Sequence, residues 1–218
     1  MLQDGPLPDP DPAAVARAMM DGVRREGVER LPWTDTARRV RARLRFLQTI
    51  DPEWPDVSTE ALTRDLSDWL APRLAGTQRW DQLERLDLGE LLLDRLSWDR
   101  RAALDHWAPT HVEVPSGSRV PVDYSDPAAP ALAVRLQELF GLTETPTVGG
   151  GRVPVTLHLL SPARRPVQVT RDLAGFWRTT YFEVRKDLKG RYPKHHWPDD
   201  PLRAEPTRHA KRRGSGGT

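Results

Sequence analysis

The hydrophobic period of this chain changes at Pro109. Ahead of it, apolar residues recur at helical steps; behind it, stretches appear in which they alternate as in strands with one buried face. In DPAAVARAMMDGVRREGVERL, Val15, Met19 and Val23 fall one turn apart, with Asp11 placed to cap the helix. In LPWTDTARRVRARLRFLQTI, Thr34 or Asp35 can cap, and Val40, Leu44 and Leu47 form the apolar stripe. Ser58 can open STEALTRDLSDWLAPRL, whose Leu62, Leu66, Trp69 and Leu70 share a face. The stretch RWDQLERLDLGELLLDRLSWDRRAALDHWAP reads as one or two further helices interrupted near Gly89. Trp69, Trp80, Trp98 and Trp107 read as core or interface anchors, with base stacking by one of them as the rarer alternative.

After Pro109, THVEVPSGSRVPVDY alternates around Ser116-Gly117 and predicts a hairpin. PALAVRLQELFG reads as a short amphipathic helix stopped by Gly141. GGGRVPVTLHLLSPARRPVQVT gives two more strands about a Ser-Pro turn. RDLAGFWRTTYFEVRKDLKG closes the ordered part as one helix ended by Gly190, with Leu173, Phe176, Trp177, Tyr181, Val184 and Leu188 on one side. The fold class expected is α+β: an N-terminal helical region over residues 1–110, a small β-rich module over 111–202, built as hairpins or a partial barrel and ending in that helix, and a disordered basic tail over 203–218.

Of the 218 residues 38% are hydrophobic and eight are Trp, enough for a core. Cysteine is absent, which excludes disulfides and thiolate chemistry. No apolar run is long enough to span a membrane, and the acidic, Pro-rich start is unlike a signal peptide, so a cytoplasmic location is expected. The net charge of +2 conceals an asymmetry. Residues 164–218 carry 14 Lys+Arg against 6 Asp+Glu, net +8, and hold all four lysines, Lys186, Lys189, Lys194 and Lys211. A basic end on an acidic body suits a polyanion contact, or simply a solvated tail. Arg38, Arg39, Arg41, Arg43 and Arg45 could line a nucleic-acid groove, but a solvated face paired with Glu26, Glu29 and Asp35 is the plainer reading.

Catalytic patterns are missing. Gly149-Gly150-Gly151 is followed by Arg152 and Val153 rather than Gly-Lys-Ser/Thr, so it predicts a hairpin loop and not a phosphate loop. His195-His196 lacks the spaced partners of a metal shell, and none is expected. Ser116 and Ser118 have no identifiable His/Asp partner, and Asp199-Asp200 reads as caps or ion-pair partners. No catalytic, cofactor-binding or metal-binding residue is assigned.

PSGSRVPVDYSDP, followed by LAGFWRTTYFEVRKDLKGRYPKHHWPDDP, resembles the C-terminal region of the HrpB-type bacterial ATP-dependent RNA helicases, relatives of the DEAH-box group. The resemblance is tight from Pro115 to Pro201 and loose through the helical half. It implies that such a region follows two RecA-like motor domains, a winged helix and a helical bundle. The motor's Gly-Lys-Thr loop, Asp-Glu-x-His box and arginine finger have no counterpart here, so no ATP-binding residue is carried over and ATP and Mg²⁺ would belong to motor domains outside this chain. The chain is then a C-terminal piece of a longer gene or a stand-alone relative of the accessory domains.

Within KGRYPKHHWPDDP, Tyr192 and Trp197 are expected to pin the loop over Phe176, Trp177 and Tyr181, while Pro193 and Pro198 keep it extended. Lys189, Arg191, Lys194 and His195, with His196 as a further candidate, would then form a cationic edge that Lys186 extends, with Arg164 and Arg165 as a second patch and Arg208, Lys211, Arg212 and Arg213 adding diffuse attraction. The same stretch could instead be a lock that fastens the C-terminus. Two functions follow: an accessory RNA-binding or single-strand-binding and docking module for a helicase motor in cis or in trans, or a protein–protein adaptor without nucleic-acid contact.

Overall fold

The N-terminal helices begin where a side-chain oxygen is present to close them. The computed structural model describes residues 11–74 and 80–208. Asp11 Oδ1 accepts from the Ala13 amide at 3.1 Å and opens α1 (Pro12–Glu26). Thr34 Oγ1 accepts from Ala37 N at 3.1 Å and opens α2 (Asp35–Ile50). Ser58 Oγ does the same for Ala61 N, at 3.1 Å, at the head of α3 (Thr59–Arg64). Val23, Val40, Leu44, Leu47, Leu62, Leu66, Trp69 and Leu70 are buried as the helical period requires.

The chain divides into two units, Met1–Ala103 and Leu104–Thr218. In the first, the helix expected across residues 59–70 is broken at Asp65, where the carboxylate takes Arg64 Nε at 2.8 Å and Arg95 Nη2 at 3.3 Å; α4 (Leu66–Trp69) follows. Gly89 does not interrupt a helix. It lies inside α5 (Leu88–Leu93), capped by Asp87, where a Cβ would stand 3.4 Å from Ala37 Cα of α2. The glycine is a close-approach residue, and the real breaks flank α5, before α6 (Trp98–Trp107). Trp69 is buried, but Trp98 is 82% exposed and is no core anchor; the Trp80 side chain lies outside the described residues. The arginines of α2 follow the paired reading where their contacts are seen. Arg41 donates to Glu29 Oε1 and Val57 O, both at 2.8 Å, and stacks 4.9 Å over Trp33.

The second unit is an open mixed sheet of order β1-β2-β3-β6-β7. β1 (His111–Glu113) and β2 (Arg119–Asp123) form the expected hairpin, turning at Gly117 with φ 73°. β3 (Ala131–Arg135) corrects the helix expected in PALAVRLQELFG. Its short apolar run fits either period, and what decides is pairing: β3 lies parallel to β6 (Thr156–Leu160), with Leu132 and Val134 level with Leu157 and Leu159 and all four buried. Only Leu136–Leu139 turns, as a single 3-10 stretch. The crossover also carries a small hairpin, β4 (Thr147–Val148) and β5 (Val153–Pro154), around the glycine triplet. β7 (Pro166–Thr170) pairs antiparallel with β6. Since β1 and β7 remain edges, the sheet closes no barrel.

The C-terminal helix is likewise two pieces, α7 (Leu173–Arg178) and α8 (Tyr181–Arg191). Thr179 leaves helical geometry (φ −118°, ψ −74°), its hydroxyl bonding Gly175 O at 2.8 Å, and α8 runs through Gly190 rather than ending there. The segment expected to begin a disordered tail is held as far as Arg208: Thr207 N donates to Gln137 O at 3.0 Å and Arg208 Nε to Ser116 O at 2.9 Å. Among the described residues no helix is long and apolar enough to cross a membrane.

Gly89→Val would drive γ-methyls into α2. We expect it to cost about 1–3 kcal/mol in urea unfolding, and a variant as stable as the wild type would refute the close approach of α5 to α2.

Candidate nucleic-acid interface

Asp172 caps α7 by accepting from Gly175 N at 2.8 Å. The cap sets Phe176 and Trp177 inward, where they meet Phe140 and Tyr181; the Trp177–Tyr181 centroids are 5.3 Å apart and the Phe140–Tyr181 centroids 6.4 Å. Trp177 Nε1 donates to Leu142 O and Tyr181 Oη to Pro198 O, both at 2.8 Å. Burial pushes the Tyr181 phenol far above its ordinary pKa, so it acts as a neutral donor.

The loop after α8 closes on this cluster. Trp197 is buried and its Nε1 donates to Tyr192 O at 2.9 Å. Arg185 Nε donates to Trp197 O at 3.0 Å, and its Nη2 pairs with Asp199 at 2.5 Å. Asp200 accepts from Leu202 N at 3.0 Å, and Pro201 O accepts from Gly141 N at 2.9 Å. Tyr181, Tyr192 and Trp197 bond to the loop or within it, while Phe176 and Trp177 pack against Tyr181; Asp199 is an ion-pair partner and Asp200 accepts from the amide two residues on.

The expected cations divide. Lys186, Lys189 and Lys194 are exposed and make no ion pair among the described residues, and the same holds for Arg164 and Arg165. Arg191 is exposed but pairs with Asp187 at 3.1 Å. His195 departs from the outward edge: it is half-buried, and Gln137 Nε2 sits 3.1 Å from its Nδ1. Burial, with Arg135 nearby, lowers its pKa, which works against a positive charge on the ring.

The two patches, separate in sequence, are joined by one contact. Ser161, nearly fully buried, turns the chain between β6 and β7: its N donates to Arg165 O at 2.8 Å and its Oγ accepts from Arg165 N at 3.1 Å. Arg164 sits in this turn at φ 59°. Tyr192 Oη lies 3.3 Å from Ser161 Oγ, which sets the Arg164–Arg165 turn beside the loop that carries Lys194.

A second cluster was not grouped by sequence reasoning. Glu138, on the 3-10 stretch, accepts from Ser116 Oγ at 3.0 Å and from Arg135 Nε at 2.7 Å. Burial raises the pKa of this carboxyl, but the hydrogen bonds from Ser118, Arg135 and Ser116 outweigh burial and hold it below the ordinary glutamate value. Only the fold brings Glu138 to Ser116; the one signal in the sequence was the serine pair itself. Held between the two serines and Arg135, the Glu138 carboxylate fastens the β1–β2 turn to the 3-10 stretch. Among the described residues no three His, Cys, Asp or Glu side chains gather as a metal would require.

An open mixed sheet, a broken C-terminal helix and a pinned cationic loop define an α+β module. Residues 69–201 match the model of the ATP-dependent helicase C-terminal family, HrpB_C, and the chain belongs to that family. It is 45% identical over 209 residues to the ATP-dependent RNA helicase HrpB of Escherichia coli (strain K12), covering 95% of this chain and 26% of that protein. It superposes on the E. coli DExH-box NTPase HrpB with a TM-score of 0.86 at 45% identity, covering 94% of this chain and 26% of that one. A second structure, the Escherichia coli DEAH/RHA helicase HrpB, gives a TM-score of 0.73 at 42% identity, covering 88% and 25%. The chain therefore spans about a quarter of the length of the curated relative it matches.

Because the Glu138 pKa is depressed in the fold, its contribution to stability is present above the ordinary value of 4.5 and is lost as pH falls below it through the folded value. We expect Glu138→Gln to cost about 1–3 kcal/mol at neutral pH and to flatten this acid limb. Urea unfolding of both proteins at neutral and acid pH checks it; a variant with an unchanged acid limb would show that the carboxylate is not so held.

Proposed function

We propose that this chain is an accessory RNA-binding and docking region of an HrpB-type ATP-dependent helicase, extending the path of a single strand beside a motor supplied in cis or in trans. That role puts it in the cytoplasm, with ATP and Mg²⁺ held by the motor domains. The observation that carries the reading is the Tyr192–Ser161 contact, which sets the exposed Arg164 and Arg165 beside the loop of Lys194. Binding through such groups is made of phosphate contacts, with little sequence preference and a strong dependence on salt. The name of the E. coli relative, an RNA helicase, agrees in substrate class.

A protein adaptor is the second reading, and the exposure of Trp98 favours it. An aromatic of that size left in water is the usual anchor of a protein contact. On that reading the lysines only solubilise.

Anisotropy of a labelled single-stranded RNA across a salt series separates the two. Each phosphate contact contributes about −0.7 to the log–log salt slope on a single strand. The triple variant Lys189→Ala, Arg191→Ala, Lys194→Ala is expected to bind more weakly, with a slope shallower by up to about 2. A folded, monodisperse wild type that binds no RNA would sink the RNA reading and leave the adaptor.

A further inference from the structure

Phe182 is the one large apolar side chain of α8 that faces solvent, at 50% exposure. Its neighbour Tyr181, about 100° round the helix, is wholly buried, so the Phe182 ring stands at the edge of the buried aromatic cluster. The Phe182 ring is not loose, because it meets Tyr181 at a centroid distance of 5.7 Å and an interplanar angle of 67°. At helical spacing Lys186 lies one turn on and Lys189 two turns on, along the same strip of surface. Neither lysine is engaged in an ion pair among the described residues. On the adjoining strip Asp187 is taken by Arg191, and Glu183, Lys186, Asp187, Gly190 and Arg191 line a shallow depression. Gly190 forms part of its wall with an ordinary helical φ, and a Cβ there would meet nothing within 4 Å. No packing demand requires glycine at this point; its effect is to leave the helix surface low beside the lysines.

A lone exposed aromatic followed by lysines is poorly suited to a protein contact, where lysine is depleted and apolar anchors are ringed by further apolar surface. It does suit a single strand, for which an aromatic face receives a base while the cations meet the phosphates. We infer that Phe182 is a stacking platform for a nucleobase, with Lys186 and Lys189 holding the adjoining backbone along α8. The inference rests on the RNA-contact reading above and deepens it: the loop cations give attraction, whereas Phe182 makes the site sensitive to whether the strand carries bases.

The test uses the full chain with a fluorescein-labelled RNA of about 12 nucleotides, within the usual site size of single-strand binders, and an abasic strand with the same phosphates. Wild type should prefer the base-bearing strand. Phe182→Ala should raise its Kd roughly 5- to 100-fold, abolish the preference and leave the salt slope unchanged. Phe182→Trp should restore binding, and Phe182→Leu should not. The stacking platform is overturned if wild type binds both strands equally, if Phe182→Ala binds like wild type, or if Phe182→Leu binds like Phe182→Trp. If in those cases the Lys189/Arg191/Lys194 variant is still weakened, the RNA-contact reading survives alone. A wild type that binds neither strand at any salt concentration removes both.

Discussion

Tyr181 is wholly buried, and its hydroxyl has one acceptor, the carbonyl of Pro198. A buried hydroxyl without that acceptor costs about 1–3 kcal/mol, so the position of Pro198 relative to α8 follows from the packing of the phenol ring. One turn along α8, Arg185 spans from Trp197 O to Asp199 and fixes the residues on either side of Pro198. Trp197 in turn reaches back to Tyr192. The loop is therefore defined from both ends by groups on or beside the same helix. Gly141 and Gln137 then fasten it to the β3–β6 crossover. Pro193 and Pro198 remove freedom that the unfolded loop would otherwise lose on ordering.

The division of labour between arginine and lysine follows from the same economy. A guanidinium offers several donors in one plane and stacks on rings, so arginine can be spent inside a fold. Arg41 lies over Trp33, Arg100 over Trp54 and Arg152 over Trp107, at 4.9, 5.0 and 5.0 Å. Arg135 closes on Glu138, and Arg185 closes the loop. Lysine enters none of these contacts. The three described lysines stand in water on α8 and its loop, where a flexible ammonium can follow a phosphate. These arginines staple the body, while the lysines, with the exposed Arg164 and Arg165, make up the cationic edge.

Much of the helical half was legible because its cues are local. Asp11, Thr34 and Ser58 cap within three residues of themselves, and the stripe on α2 is read from spacing alone. The failures share a cause, which is that a partner distant in sequence decided the outcome. β3 looks like a helix until β6 lies beside it, and Gly89 looks like a breaker until α2 does. For Trp98 core and interface were both open, because residue type, not exposure, is what a sequence displays; its exposure rules out the core. In the site, the anchors were legible, since an aromatic and proline-rich stretch can only order itself by burying its rings. The half-buried position of His195 was not legible because its partner Gln137 lies on the crossover, and Phe182 was hidden beside the buried Tyr181.

A lock and a cationic edge were alternatives for the KGRYPKHHWPDDP stretch, but physically each serves the other. A handful of lysines in water binds a strand weakly, in the range of about 10⁻⁴–10⁻⁶ M for nonspecific contacts at physiological salt. Such a face becomes useful when joined to another body that holds the same strand, since linkage can add roughly 10²–10⁴ in avidity without any new contact. That gain exists only if the geometry lets both sites engage at once, and a floppy loop would surrender part of it to ordering entropy. Pinning the loop through Tyr181, Arg185 and Trp197 leaves the ammonium groups as the only parts still to be ordered. On this argument the buried half of the stretch is what would make its exposed half effective beside a motor.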